Sequence, residues 1–103
     1  MADLSQGVWA EQLNADDNSF ILDVRTPLEV SEGYIPMASN LDIYLGQQFL
    51  AELEKLDKSK SYYVYCRSGN RSRQACAIMN SVGFKNAYNL EGGMMAWQGE
   101  VIR

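Results

Sequence analysis

Apolar positions along the chain switch between two spacings: short continuous runs, and pairs three or four residues apart. Val8, Trp9 and Leu13 line one face of a first helix that Ser5 is placed to cap, and Met1 leads directly into it. Asp16, Asp17 and Asn18 then break the chain. Phe20-Ile21-Leu22-Asp23-Val24 is a nearly unbroken apolar run, the mark of a strand buried on both faces. Thr26-Pro27 starts a short helix holding Leu28 and Val30, which Gly33 ends. Residues 34–44 are irregular around Pro36, with a short strand near Ser39–Leu41. From Leu45 to Leu56, Phe49, Leu50, Leu53 and Leu56 recur at helical spacing. Tyr62-Tyr63-Val64-Tyr65 is a second buried strand, and it stops at Cys66. Residues 67–71 form a turn, and Ser72 opens a helix with Ala75, Ile78, Met79 and Val82 on one side and Gly83 at its end. Ala87–Leu90 is a last strand, and Gly92-Gly93 turns the chain into a final helix carrying Met95 and Trp97.

Strands thus alternate with helices, which predicts an α/β domain with a mostly parallel sheet. Such sheets bind ligands at the carboxyl ends of their strands, and the stretch after Tyr65 is one such place. At 103 residues the chain makes one domain with one modest core. It holds no repeat, linker or low-complexity tract.

Composition narrows the chemistry. The net charge of −4 disfavours nucleic acid as a partner, and no apolar run approaches the roughly 20 residues of a membrane span. No basic region followed by an apolar one marks a secretory signal, and two cysteines ten residues apart are no disulfide framework. Both thiols are expected to be free in a reducing cytoplasm. There is no histidine, which removes a Ser-His-Asp triad, a Cys-His pair and any histidine-ligated metal. No metal or cofactor is expected. Charge is also unevenly placed. Residues 1–57 carry eleven acids against Arg25 and Lys55, whereas residues 58–90 carry six bases and no acid. That second block suits something anionic, although solvation alone also accounts for such runs.

Cys66 lies inside the basic block, after a buried strand and just ahead of a helix. A helix N-terminus offers unpaired N–H groups and the positive end of a dipole. Arg67, Arg71 and Arg73 add positive charge, and Gly69 lets the loop curl so that successive N–H groups point at one centre. These features lower a thiol pKa and populate the nucleophilic thiolate. An inert buried thiol is the commoner fate of a free cysteine, but a polar loop with two arginines is a poor place for one. Cys76 has the bland profile, near the apolar face of the following helix. Ten helical residues would set it about 15 Å from Cys66, too far for a disulfide. Arg25 and Glu29, four apart, suit a helix-start ion pair, and Asp23 is placed to bond to backbone. Trp9 and Trp97 read as core, and Met94-Met95 as gap filling rather than as the flank of a site.

Cys66-Arg67-Ser68-Gly69-Asn70-Arg71-Ser72 resembles the active-site loop of rhodanese-like domains, the single-domain sulfurtransferases. The resemblance runs almost end to end. Asp23-Val24-Arg25 with Glu29 is similar to the family's first signature. Gly33 to Asn40 resembles its Gly-His-Ile-Pro-Gly-Ala-x-Asn stretch, with Tyr34 in the place of histidine and Met37 in that of the second glycine. Asp42 replaces a frequent proline. Gly83-Phe84, Leu90-Glu91-Gly92-Gly93 and Ala96-Trp97 resemble the C-terminal signature.

The resemblance implies one rhodanese-like domain over residues 1–103, with a mostly parallel sheet of about five short strands and helices on both faces. It implies that Cys66 takes a sulfane sulfur from thiosulfate or a persulfide and passes it to cyanide or a thiol. The N–H groups of Ser68, Gly69, Asn70, Arg71 and Ser72 would hold the persulfide, and Arg67 and Arg71 would orient the donor. A partner protein in a sulfur relay would be a further acceptor that the resemblance allows. Sulfur transfer needs no histidine if Cys66 is already ionised. Two rivals stand beside this reading. A regulatory rhodanese-like binding module often lacks the cysteine that this chain has. A phosphatase or arsenate reductase resembles Cys-x5-Arg, whereas Cys66 to Arg71 is Cys-x4-Arg, a shorter cradle.

Overall fold

The structure, a computed structural model, describes residues 2–103. Its elements run β1 (Ala2–Leu4), α1 (Gln6–Ala15), β2 (Ser19–Asp23), α2 (Pro27–Ser31), β3 (Ser39–Asn40), a 3-10 turn (Ile43–Leu45), α3 (Gln47–Glu54), β4 (Ser61–Tyr65), α4 (Asn70–Ser81), β5 (Asn86–Leu90) and α5 (Gly93–Ala96). The five strands form one sheet in the order β1-β5-β4-β2-β3, every neighbouring pair parallel. The central strand, β4, leads straight into Cys66.

Alternation along β4 separates two apolar layers. Tyr62 and Val64 join Leu22 and Val24 of the β2 segment, and Phe49, Leu53, Ala75 and Met79 of α3 and α4 cover them. Tyr63 and Tyr65 point the other way, to Trp9 of α1, with Trp97 after α5 packed alongside. Trp9 is fully buried, with its ring edge-on to Tyr63, Tyr65 and Trp97 at 5.8, 6.4 and 5.6 Å between centroids. Truncating it to alanine would cost about 3–5 kcal/mol. Three tyrosines tolerate a buried strand because each hydroxyl is paired. Tyr62 donates to the Asp57 carbonyl (2.7 Å), Tyr63 to Asp16 (2.9 Å), and Tyr65 accepts from the Ile35 N–H (3.1 Å).

Several elements differ from the expectation. Residues 2–4 are not the lead into a helix but a strand, in register with Tyr88–Leu90, and Met1 lies outside the described residues. Three residues are too few to show a period, and the free edge of β5 decides their state. The helix expected from Leu45 is broken at Gly46, whose φ of 59° ends the 3-10 turn before α3 begins. Asp42, where proline is frequent, caps that turn by accepting the Tyr44 N–H at 2.9 Å. Helix α4 begins at Asn70, two residues before Ser72, because Gly69 at φ 102° acts as its cap. Ser5 and Thr26 cap their helices as expected, Thr26 in a reciprocal box with Glu29. Met37, which stands where the motif it resembles has glycine, takes a left-handed φ of 73° with its side chain in solvent, a conformation that glycine adopts more readily.

Candidate active site

Cys66 Sγ sits where β4 ends and α4 begins, beneath a loop that closes over it. The Gly69 N–H points at Sγ from 3.1 Å, and the Ser72 hydroxyl lies 3.3 Å away. Burial pushes the thiol pKa up. Hydrogen bonds from the Ser72 hydroxyl and from the N–H groups of Ser72, Gly69 and Ser68 outweigh that, and the thiol ends below its ordinary value.

The loop aims its N–H groups at the sulfur because its carbonyls are held elsewhere. The Met94 N–H donates to the Cys66 carbonyl (2.9 Å) and the Met95 N–H to the Arg67 carbonyl (3.0 Å). Gly93 makes this docking possible: a Cβ there would lie 2.5 Å from the Arg67 oxygen and 2.6 Å from the Cys66 oxygen. Gly93 is therefore part of the cysteine site and not only of a turn.

The loop's side chains divide by partner. Arg71 is bound bidentately by Glu29, Nη1 to Oε1 at 2.6 Å and Nη2 to Oε2 at 2.7 Å. Its guanidinium also lies 5.3 Å from the centre of the Tyr44 ring. This Arg71 fork, strengthened by the Thr26 N–H, holds the Glu29 carboxyl down at about 2. Glu29 thus does not pair with the Arg25 side-chain charge as expected. The Arg25 side chain turns back to Asp23 (Nη2–Oδ2 2.7 Å, Nε–Oδ1 2.9 Å) and to the Gly33 carbonyl (2.8 Å), and both members of that pair are buried. Asp23 also accepts the Arg25 backbone N–H at 3.0 Å, as expected. Arg73 reaches Asp3 at 3.4 Å on the surface. Arg67 is exposed and has no carboxylate partner among the described residues. Ser68 and Asn70 are exposed, Gly69 and Ser72 buried.

An open cleft of about 460 Å³ lies beside the loop, lined by Arg25, Glu29, Glu32, Arg67, Met94 and Met95. The methionine pair therefore lines this cleft, beyond the gap filling expected of it. Met94 also packs on the core, while Met95 is largely exposed. A larger cavity of about 750 Å³, between α1, β2 and the Ile35–Met37 turn, contains none of the loop residues. Cys76 is buried and its thiol is pushed up to about 12 by burial, as befits a core residue. It belongs to the same core cluster as Cys66, and both thiols are free, as expected. Among the described residues no group of three or more His, Cys, Asp or Glu could hold a metal ion. Among the described residues no helix is long and apolar enough to cross a membrane.

One buried polar residue was not singled out from the sequence. Asn89, on β5, receives the Ser72 hydroxyl at its Oδ1 and donates from Nδ2 to Asp3 (2.9 Å) and to the Gly69 carbonyl (3.2 Å). The available signal was a carboxamide inside the otherwise apolar run Ala87-Tyr88-Asn89-Leu90.

Residues 7–100 match the Rhodanese-like domain family. The chain belongs to that family. It is 43% identical over 98 residues to YtwF of Bacillus subtilis (strain 168), which bears a sulfurtransferase name, covering 95% of this chain and 91% of that one. It is 35% identical over 88 residues to a protein named "Sulfurtransferase" from Allochromatium vinosum, covering 85% and 79%. The crystal structure of a rhodanese-like domain protein from Staphylococcus aureus superposes with a TM-score of 0.82 at 31% identity, over 97% of this chain and 94% of that one. As in that structural neighbour, this is the rhodanese-like α/β fold, and the relatives support a general role in sulfur transfer.

Proposed function

We propose that this rhodanese-like domain moves a sulfane sulfur from thiosulfate or a persulfide donor to a thiol or cyanide, through a persulfide on Cys66. In the first step the Cys66 thiolate attacks the outer sulfur of thiosulfate. An S–S bond forms to Sγ, the bond to the sulfonate sulfur breaks, and sulfite leaves with the electron pair. In the second step cyanide or a thiolate attacks the outer sulfur, and the Cys66 thiolate is restored. No proton relay is required at an ionised sulfur. The observation that carries this reading is the shell of donors around Sγ, with the Gly69 N–H at 3.1 Å. The same N–H groups suit the terminal charge of a persulfide. Arg67 borders the cleft without a carboxylate partner, which suits it to meet an anionic donor. Arg71, held by Glu29, serves first to hold the loop against α2. A cytoplasmic setting fits two free thiols, and a relay partner presenting a thiol is a natural acceptor.

Mass spectrometry after incubation with thiosulfate tests the proposal. The expected result is a gain of one sulfur atom, reversed by cyanide, absent in Cys66→Ser and kept in Cys76→Ser. No gain would favour a binding module, and activity retained in Cys66→Ser would overturn the mechanism. Turnover of p-nitrophenyl phosphate with none of thiosulfate would favour a phosphatase.

A further inference from the structure

The Ser72 hydroxyl lies between two groups that both want its proton. On one side is Cys66 Sγ at 3.3 Å, and on the other is Asn89 Oδ1, to which the hydroxyl is hydrogen-bonded. Ser72 and Asn89 are fully buried. The orientation of the Asn89 amide follows from chemistry. The Asp3 carboxylate and the Gly69 carbonyl only accept, so Nδ2 faces them and Oδ1 faces Ser72. Ser72 is the one donor to Oδ1 among the described residues.

A hydroxyl has one proton, so the two bonds cannot both be donated by Ser72. When Cys66 is a thiol, its S–H donates to Ser72 Oγ, Ser72 donates to Asn89, and Asn89 donates to Asp3 and Gly69. Every partner is then satisfied, in one direction. When Cys66 is a thiolate, the hydroxyl turns to Sγ and the buried Oδ1 of Asn89 loses its donor, which is costly in an interior.

We propose that Asn89 is a positioning residue that competes with Cys66 for the Ser72 proton and so sets how readily the sulfur ionises. This rests on Cys66 being the nucleophile of the proposed reaction. The arrangement also fits a sulfur that changes character during turnover. The thiolate draws the hydroxyl to Sγ. In the persulfide the inner sulfur is a poor acceptor, and the hydroxyl returns to Asn89 while the loop N–H groups serve the outer sulfur. Among the described residues the other charged or titratable groups near Cys66 are Arg67 on its own loop, Arg71 and Cys76 on α4, and Asp3 on β1, the last behind Asn89 and paired with Arg73. All of them are unchanged in the variants below.

The test is the pH dependence of the ultraviolet thiolate absorbance, read as a difference against Cys66→Ser. Cys76, pushed up to about 12, is silent in the useful range. Asn89→Leu, close in size but without Oδ1, is expected to release the Ser72 proton and to raise the thiolate-to-thiol ratio about tenfold at a fixed pH below the midpoint, the scale of one ordinary hydrogen bond. Ser72→Ala is expected to move the midpoint the opposite way. The double variant should match Ser72→Ala alone. A purely structural role for Asn89 predicts otherwise: loosening the loop turns the Gly69 N–H from the sulfur, raises the midpoint, and does so with or without Ser72. A midpoint raised or unchanged in Asn89→Leu, or a shift that survives in the double variant, overturns the proposal. Asn89→Val, β-branched and suited to a strand, is the second variant and carries the same expectation. The readout needs no sulfur donor, so a missing mass gain with thiosulfate would sink the sulfurtransferase reading and leave this result standing.

Discussion

The ion pair between Glu29 and Arg71 ties the cysteine loop to α2 across 42 residues of sequence, and Glu29→Gln tests what it contributes. The variant keeps the shape and an acceptor for the Thr26 N–H but removes the charge that faces the guanidinium. The Glu29 carboxyl is held at about 2 against an ordinary 4.5. That difference corresponds to about 3 kcal/mol of folding stability at neutral pH. The pair remains 17 and 23% exposed, and solvent screening brings the expectation to about 2 kcal/mol. The sign is fixed by the direction of the shift. A carboxyl whose folded value lies below its unfolded one stabilises fully above about 4.5, and that stability is lost as the pH falls toward 2. Urea denaturation of both proteins at neutral pH should show the variant less stable by about 2 kcal/mol, and at about pH 3 the gap should have shrunk to less than half. Equal stabilities at neutral pH, or a gap that does not change with pH, would refute the claim that this pair anchors the loop electrostatically.

Met37→Gly should raise stability by about 1 kcal/mol, since it relieves a left-handed φ of 73° at an exposed side chain; a lower denaturation midpoint would contradict this. Gly93→Ala meets the Arg67 and Cys66 carbonyls within 2.6 Å at a φ of 57°. It should cost about 2 kcal/mol or more and slow sulfur transfer, and an unperturbed melting curve would show that the loop yields freely. Raising ionic strength should weaken thiosulfate use mainly through KM, and Arg67→Ala should both raise KM and flatten that dependence. A salt dependence unchanged in Arg67→Ala would place the donor's charge elsewhere.

The sequence by itself determined the alternation of strands and helices, the caps at Ser5 and Thr26, and the loop in which Cys66 sits. These follow from short-range physics: apolar spacing, turn chemistry and a glycine able to take a positive φ. Tertiary structure decided how the polar groups are partnered. Arg25 and Glu29 are four apart and still do not pair through their charged groups. Arg25 is buried against Asp23, and Glu29 meets Arg71 from another element. The strand at Ala2–Leu4 exists because β5 has an edge to pair, and Asn89 matters because the fold brings Asp3 and Ser72, 86 and 17 residues away, to its two ends. A periodic pattern states which face a residue occupies, but not which distant polar atom lies opposite. In a buried site that opposite atom decides which polar groups are hydrogen-bonded and which charges are paired.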